Sequence, residues 1–231
     1  MVIHGLQKMT LLDFPGHVAC TIFTAGCNFR CPFCHNASLV EGIAETPPYT
    51  EQDIFDFLSK RKGLLEGVAI TGGEPLVQKD IEQFIRKIRD MGFLIKLDTN
   101  GSFPEKLKDL IDKKLVDYVA MDIKNCKEKY PLTAGAGEDI IPKIDASIKI
   151  LLENKVDYEF RTTVSEQYHS TQDIEKAAEW IKGAKRYFLQ VFTDSGDILS
   201  DEILTAPSNE ILQKMLESAQ KHTEKAALRG I

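Results

Sequence analysis

Short, continuously apolar runs alternate along the chain with longer stretches in which apolar residues recur every three or four positions. A continuous apolar run predicts a strand of a buried parallel sheet, whereas the longer spacing predicts an amphipathic helix. Six strands and five intervening helices are predicted in this way. The strands are VACTIFTAG, GVAITGG, FLIKLDTNG, DYVAMDIK, DYEFRTTV and RYFLQVF, and the helices are EQDIFDFLSKRKG, DIEQFIRKIRDMG, PEKLKDLIDKK, IDASIKILLEN and DIEKAAEWIKGA.

Signals for the ends of helices support these boundaries. Thr50 stands three residues before Asp53, which is the spacing of a capping box. A further helix is predicted from about Pro207 onward, and the segment ETPPYT (45–50) is predicted to be a loop. Glycines also stand where three of the predicted helices should stop, at Gly63, Gly92 and Gly183.

The β–α unit therefore repeats about six times, which is typical of an α/β fold with a parallel sheet covered by helices. No low-complexity linker or shift in composition divides the chain, so we expect one domain that spans residues 1–231. In such folds the ligand lies at the carboxyl ends of the strands. Polar residues interrupt the apolar runs there, at Cys27–Cys34, Thr71–Pro75, Asp98–Gly101, Asp122, Lys124, Arg161 and Gln190.

The segment AGCNFRCPFCHN carries three of the five cysteines, Cys27, Cys31 and Cys34, in the spacing C-x3-C-x2-C. Three thiolates can hold three irons of a cubane iron–sulfur cluster and leave the fourth iron open. A zinc ion is the alternative, with His35 as a fourth ligand. Adjacent residues such as Cys34 and His35 rarely ligate one tetrahedral ion together, so the iron–sulfur interpretation is favoured.

Composition and charge limit the partners and the cell compartment that we expect for this protein. The chain has 231 residues, of which 43% are hydrophobic, and a net charge of −6, so no basic field indicates a nucleic-acid partner. A membrane span needs about 20 consecutive apolar residues, and no run in the sequence approaches that length. The N-terminus also lacks the basic and then apolar segments of a signal peptide. An odd number of cysteines with three crowded together favours metal binding in a reducing cytoplasm.

The stretch GLQKMTLLDFPGHVACTIFTAGCNFRCPFCHN, with Phe33 before the last cysteine, resembles the signature of radical S-adenosylmethionine (radical SAM) enzymes. Its flanks D-x-P-G and C-H-N resemble the activating enzymes of glycyl radical enzymes, most of all those of anaerobic ribonucleoside-triphosphate reductases in their longer version. The resemblance implies a partial (β/α)6 TIM-like barrel, the open radical SAM fold. It also implies one 4Fe-4S cluster on the three cysteines and S-adenosylmethionine as the second cofactor.

The resemblance implies roles for further residues. TGGEP resembles the stretch that takes the methionine amino group of the cofactor, here Gly72, Gly73 and Glu74, although GGEP alone could be a turn. Phe33 is expected beside the cofactor. LDTNG and MDIK resemble segments in which aspartates bind a monovalent cation and a lysine contacts the cofactor's carboxylate. Here these residues are Asp98, Asp122 and Lys124, and the alternative is a structural Asp–Lys pair at the barrel rim.

Other residues are assigned less directly. Arg161 is expected to pair with the carboxylate or ribose of the cofactor. Gln190, Asp13 and Cys126 are left without an assigned role, although Asp13 could face an incoming substrate loop. Because Cys20 and Cys126 alone cannot build a ferredoxin-like insert, we expect a single cluster.

The implied activity is reductive cleavage of S-adenosylmethionine to a 5′-deoxyadenosyl radical, which takes hydrogen from a glycine of a partner enzyme. The expected partner is a glycyl radical enzyme, anaerobic ribonucleoside-triphosphate reductase, and the expected electron donor is a flavodoxin or ferredoxin. No nucleic-acid or membrane partner is expected. Two alternatives stay open: a radical SAM enzyme that acts on a small molecule or another macromolecule, and a non-catalytic metal-binding module.

Overall fold

The computed structural model describes residues 1–41 and 47–230, and eight strands in these residues form one sheet in sequence order. The first strand pairs antiparallel with the second, and every later neighbour is parallel. The strands are β1 (Ile3–Thr10), β2 (Ala19–Thr24), β3 (Gly67–Gly72), β4 (Leu94–Thr99), β5 (Tyr118–Asp122), β6 (Asp157–Val164), β7 (Tyr187–Val191) and β8 (Ala226–Arg229).

Helices connect the parallel strands and cover one face of the sheet. They are α1 (Ala37–Val40), α2 (Glu51–Ser59), α3 (Ile81–Asp90), α4 (Pro104–Asp112), α5 (Tyr130–Ala134), α6 (Ile140–Leu152), α7 (Thr171–Trp180) and α8 (Asn209–Gln220), with 3-10 turns at Pro75–Val77 and Lys127–Lys129.

The six predicted strands correspond to β2 through β7, and the five predicted helices between them correspond to α2, α3, α4, α6 and α7. The predicted capping box of α2 is confirmed. The Thr50 hydroxyl accepts a hydrogen bond from the Asp53 amide at 3.1 Å, and the Asp53 carboxylate accepts one from the Thr50 amide at 2.8 Å. Gly63, Gly92 and Gly183 follow α2, α3 and α7, as predicted. Part of the predicted loop 45–50 lies outside the described residues.

The prediction missed two strands and extended the last helix too far. The C-terminal helix α8 ends at Gln220, and the chain then returns to the sheet as β8. Both missed strands lie at the ends of the strand order. β1 has exposed residues in its middle, and β8 is only four residues long, so neither has the apolar run of a central strand.

The sheet is an open barrel because β1 and β8 stand at opposite ends of the strand order. Parallel pairing brings the carboxyl ends of β2 through β7 to one rim, where Asp122 is the register partner of Arg161. Toward the other end of the strands, Glu159 is buried and accepts hydrogen bonds from Arg229 at 2.7 and 2.8 Å and from the Tyr118 hydroxyl at 2.7 Å. That residues 1–231 form a single domain stays a prediction, which the single sheet supports.

Candidate active site

A cavity of about 430 Å³ opens at the carboxyl ends of the strands and collects most of the predicted site residues. Its walls come from β1 and β2, from the cysteine loop after β2 and from the ends of β3 through β7. Of the residues predicted for the site, it is lined by Cys27, Phe33, Cys31, Cys34, Gly72, Gly73, Asp98, Asp122, Lys124 and Arg161. Asp13 and Gln190 line it as well.

Backbone hydrogen bonds hold the cysteine loop at its start and in its middle. The Gly26 amide donates to the Leu39 carbonyl at 2.8 Å, and the Arg30 amide donates to the Ala134 carbonyl at 2.9 Å. A Cβ on Gly135 would lie 2.4 Å from the Arg30 oxygen, so this glycine permits the contact between α5 and the loop. Phe33 is buried against the rings of Tyr168 and His169.

The three cysteines of the loop are free thiols that face the cavity. Burial raises the pKa of Cys31 to about 12 and also raises the pKa of Cys27. Metal binding deprotonates such thiols, because the cation replaces the missing solvation of the thiolate. In the described residues no three His, Cys, Asp or Glu side chains converge closely enough to hold one metal ion. A donor set of three separated thiols on one cavity wall fits a cluster whose irons each take one thiolate.

His35, the fourth zinc ligand of the alternative interpretation, packs against the ring of Phe192 with centroids 5.3 Å apart. Partial burial lowers the pKa of His35.

A cluster of charged, mostly half-buried side chains lies on β4, on β6 and at the end of β5. Arg161 bridges the two predicted aspartates, with its Nη1 3.1 Å from Asp98 Oδ2 and its Nε 2.9 Å from Asp122 Oδ1. Lys124 Nζ lies 3.0 Å from Asp122 Oδ2, and Lys96 pairs with Asp98. The Asp–Lys pair at the rim is therefore present, but it belongs to a network of five charged side chains.

The charges of this network determine what it can bind. Burial opposes ionisation of Asp122, but Arg161 and Lys124 lower its pKa to about 2. The pKa of Asp98 is likewise lowered by Arg161 and Lys96 against the effect of burial. The network has three cations and two carboxylates, but Lys96 lies outside the cavity lining, so Lys124 and Arg161 are the cations of the network that face the cavity. An anionic group such as a carboxylate could pair with these two side chains.

The glycines of TGGEP serve the packing of the loop as well as the cavity. A Cβ on Gly73 would lie 2.1 Å from the Gly26 oxygen, and a Cβ on Gly72 would lie 2.3 Å from the Thr24 oxygen. The Gly73 amide donates to the Thr24 carbonyl at 2.8 Å. These glycines therefore let the end of β3 lie directly against the start of the cysteine loop.

Glu74 is the one predicted site residue whose side chain is outside the cavity lining. It is fully buried, and its carboxylate accepts hydrogen bonds from the Leu76 amide at 3.0 Å and the Asn100 amide at 2.6 Å. The Thr99 hydroxyl donates a third bond at 2.9 Å. From the sequence, this carboxylate was expected to contact the cofactor's amino group. In the structure it connects the segment after β3 to the end of β4.

Two asparagines of the site were missed by sequence reasoning. Asn36 donates from Nδ2 to the Gly72 carbonyl at 3.1 Å and so joins the segment after the cysteines to TGGEP. Asn100 lines the cavity beside Cys27. Both belong to sequence motifs, C-H-N and LDTNG, and these motifs were the signal that could have identified them. Cys126 is absent from this cavity lining, and its Sγ lies 3.7 Å from Asp173 Oδ1.

Comparison with known proteins agrees with this geometry. The model of the radical SAM superfamily matches residues 21–184. A proposed glycyl-radical enzyme activating enzyme of Methanocaldococcus jannaschii is 33% identical over 100% of this chain and 96% of its own. A pyruvate formate-lyase-activating enzyme of Listeria monocytogenes is 31% identical over 60% of each chain.

A solved structure extends the comparison to the fold. Streptococcus suis SuiB bound to S-adenosylmethionine superposes with a TM-score of 0.71 at 14% identity, over 90% of this chain and 49% of that chain. At this identity the likeness concerns the fold alone.

No helix among the described residues is long and apolar enough to cross a membrane.

The superfamily match covers most of the chain, and the fold is shared with a protein whose structure holds S-adenosylmethionine. Membership implies a 4Fe-4S cluster and S-adenosylmethionine as cofactors. The chain therefore belongs to the radical SAM superfamily, as a homologue of the enzymes that activate glycyl radical enzymes.

Proposed function

We propose that this protein activates a glycyl radical enzyme by generating a radical on a glycine of that partner. The observation that carries the proposal is the cavity, which brings three free thiols together with the cations of Lys124 and Arg161. These features suit a cluster and a cofactor that carries a carboxylate. The choice of an activase rests on the similarity along the whole chain to a proposed glycyl-radical enzyme activating enzyme.

Each wall of the cavity has a proposed task. Cys27, Cys31 and Cys34 would hold the 4Fe-4S cluster, and Lys124 and Arg161 would bind the cofactor's carboxylate. Gly72 and Gly73 would present backbone groups to its amino group, with Phe33 packed beside the site. Once bound, the cluster and S-adenosylmethionine supply one-electron reductive cleavage and a 5′-deoxyadenosyl radical. The barrel would orient the cofactor and limit its contact with water.

A monovalent cation beside Asp98 and Asp122 remains a prediction. Arg161 now binds both carboxylates, so a cation would have to share or displace its guanidinium group. Exchange of potassium for tetramethylammonium should weaken binding of S-adenosylmethionine if the cation is required. An unchanged affinity for S-adenosylmethionine would mean that Arg161, and not a cation, compensates the charges of Asp98 and Asp122.

The proposed partner is anaerobic ribonucleoside-triphosphate reductase, and the proposed electron donor is a flavodoxin or ferredoxin. The cavity reaches the open edge of the sheet, because Gln7 of the edge strand β1 and the nearby Asp13 line it. A cavity at an open edge supports a polypeptide as the substrate. The free state of all five cysteines supports a reducing cytoplasm. No nucleic-acid or membrane partner is proposed.

A labelling experiment tests the proposed hydrogen transfer. The reductase is prepared with deuterated glycine and mixed anaerobically with the reconstituted protein, a reductant and S-adenosylmethionine. We expect deuterium in the 5′-deoxyadenosine product, and none with a partner whose radical glycine is replaced by alanine. Product without deuterium, despite an active cluster, would overturn activation of this reductase and favour another substrate.

A further inference from the structure

Asn100 lies at the end of β4, where its side chain lines the cavity and is only 6% exposed. Its Nδ2 is 3.9 Å from Cys27 Sγ and 3.0 Å from Asn28 Oδ1. The two hydrogens of the amide group can therefore serve both acceptors.

The orientation of this amide is fixed by its neighbours. Asn100 Oδ1 accepts hydrogen bonds from the Ser102 amide at 2.9 Å and from the Ser102 hydroxyl at 2.6 Å. The backbone amide of Asn100 is held by Glu74 at 2.6 Å. A flipped side chain would point its NH₂ group at the Ser102 amide, which cannot accept. The NH₂ group must therefore face Cys27.

The three thiols of the loop differ in this respect. Cys27 Sγ faces the side-chain donor of Asn100 and also the Phe29 backbone amide, whose nitrogen is 3.4 Å away. Cys31 Sγ instead lies 3.8 Å from the Ala134 carbonyl oxygen. Among the described residues, Asn100 is the only side chain that donates an N–H to a sulfur of this loop.

We propose that Asn100 is a positioning residue that sets the reduction potential of the cluster through an N–H···S bond to Cys27. This inference rests on the proposed function, because it assumes that Cys27 ligates the cluster. A hydrogen bond to a ligating sulfur favours the reduced cluster, which carries the greater negative charge. Loss of the donor should therefore make one-electron reduction harder.

The test is a redox titration of the reconstituted protein without S-adenosylmethionine, followed by electron paramagnetic resonance of the reduced cluster. Asn100→Ala removes the donor. We expect the equilibrium constant for reduction to fall about tenfold, which is a potential more negative by about 59 mV for one electron. Asn100→Asp keeps an oxygen for Ser102 but presents no amide to Cys27, so it should shift the potential in the same direction.

The matched control is Gln190→Ala, which removes an amide from another wall of the same cavity. We expect its potential to equal that of the wild type. An unchanged potential in both Asn100 variants, or an equal shift in Gln190→Ala, would overturn the inference while the cluster itself remained. Absence of a cluster from the wild-type protein would instead contradict the proposed function. Iron content and thermal unfolding of each variant identify loss of the cluster or of the fold.

Discussion

Glu74 illustrates how a residue of the site can act without facing the cavity. Its carboxylate accepts three hydrogen bonds, from Leu76, Thr99 and Asn100, and so connects the ends of two strands. Burial opposes its ionisation more strongly than these donors favour it, and raises its pKa to about 7. This side chain should therefore link the stability of the site to pH.

The direction of this pH dependence follows from the pKa of Glu74 in the folded and the unfolded chain. The ordinary pKa of 4.5 applies to the unfolded chain, so between pH 4.5 and about 7 the folded protein binds more protons at Glu74. Stability from this group should fall as the pH rises through that window, by about 1.4 kcal/mol per pH unit, and then become constant. Urea unfolding of the apoprotein at each pH gives the free energy of unfolding of the wild type and of Glu74→Gln. The difference between these two values measures the contribution of Glu74.

Glu138→Gln, which removes an exposed carboxylate, is the control variant. A wild-type minus Glu74→Gln difference that stays constant from pH 5 to pH 8 would contradict the raised pKa. It would mean that the three hydrogen bonds keep the carboxylate ionised throughout.

The cysteines give a second prediction at the scale of single residues. Cys31→Ala should abolish the iron and sulfide bound after anaerobic reconstitution, since two thiolates cannot hold the cluster that three hold. Cys126→Ala is the matched variant, because Cys126 is also buried but is absent from the cavity lining. It should retain its iron. Equal iron in the Cys31→Ala and wild-type proteins would disprove the assignment of this ligand.

At the scale of elements, β8 is fastened to the barrel by an ion pair. Arg229 donates two hydrogen bonds to Glu159, whose side chain is 1% exposed, and its guanidinium group lies 3.4 Å from the ring centroid of Phe188. Arg229→Ala would leave the carboxylate with the Tyr118 hydroxyl alone. Removal of one partner of a buried pair is costly.

We expect Arg229→Ala to lower the free energy of unfolding by about 2 kcal/mol, a value reduced because Arg229 is itself 37% exposed. Urea unfolding measures the change. Lys214→Ala, which breaks the exposed pair with Glu210, should cost less than about 0.5 kcal/mol. Similar losses in the two variants would show that β8 does not depend on this pair.

The elements also show what the sequence could reveal. Strands β2 through β7 were predictable because both of their faces are largely covered, which makes their apolar runs continuous. The edge strand β1 and the short β8 lack that signal. Parallel register made the convergence of Asp98, Asp122 and Arg161 predictable. The direction of the Glu74 carboxylate was not, because it depends on a turn packed against another strand.

At the scale of the whole molecule, one end of an open barrel holds three thiols and a network of half-buried charges. The antiparallel β1 borders the opening and contributes Gln7 to the cavity wall. This arrangement brings a polypeptide within reach of the site if the open edge admits it. We propose that the radical formed here takes a hydrogen atom from a glycine of another protein.

The most direct measurement is electron paramagnetic resonance of an anaerobic mixture of the reconstituted protein, reductant, S-adenosylmethionine and anaerobic ribonucleoside-triphosphate reductase. We predict the doublet of a carbon-centred glycyl radical, which should be absent when Cys31→Ala replaces the wild type. Formation of 5′-deoxyadenosine without any such doublet on the reductase would contradict activation of this partner.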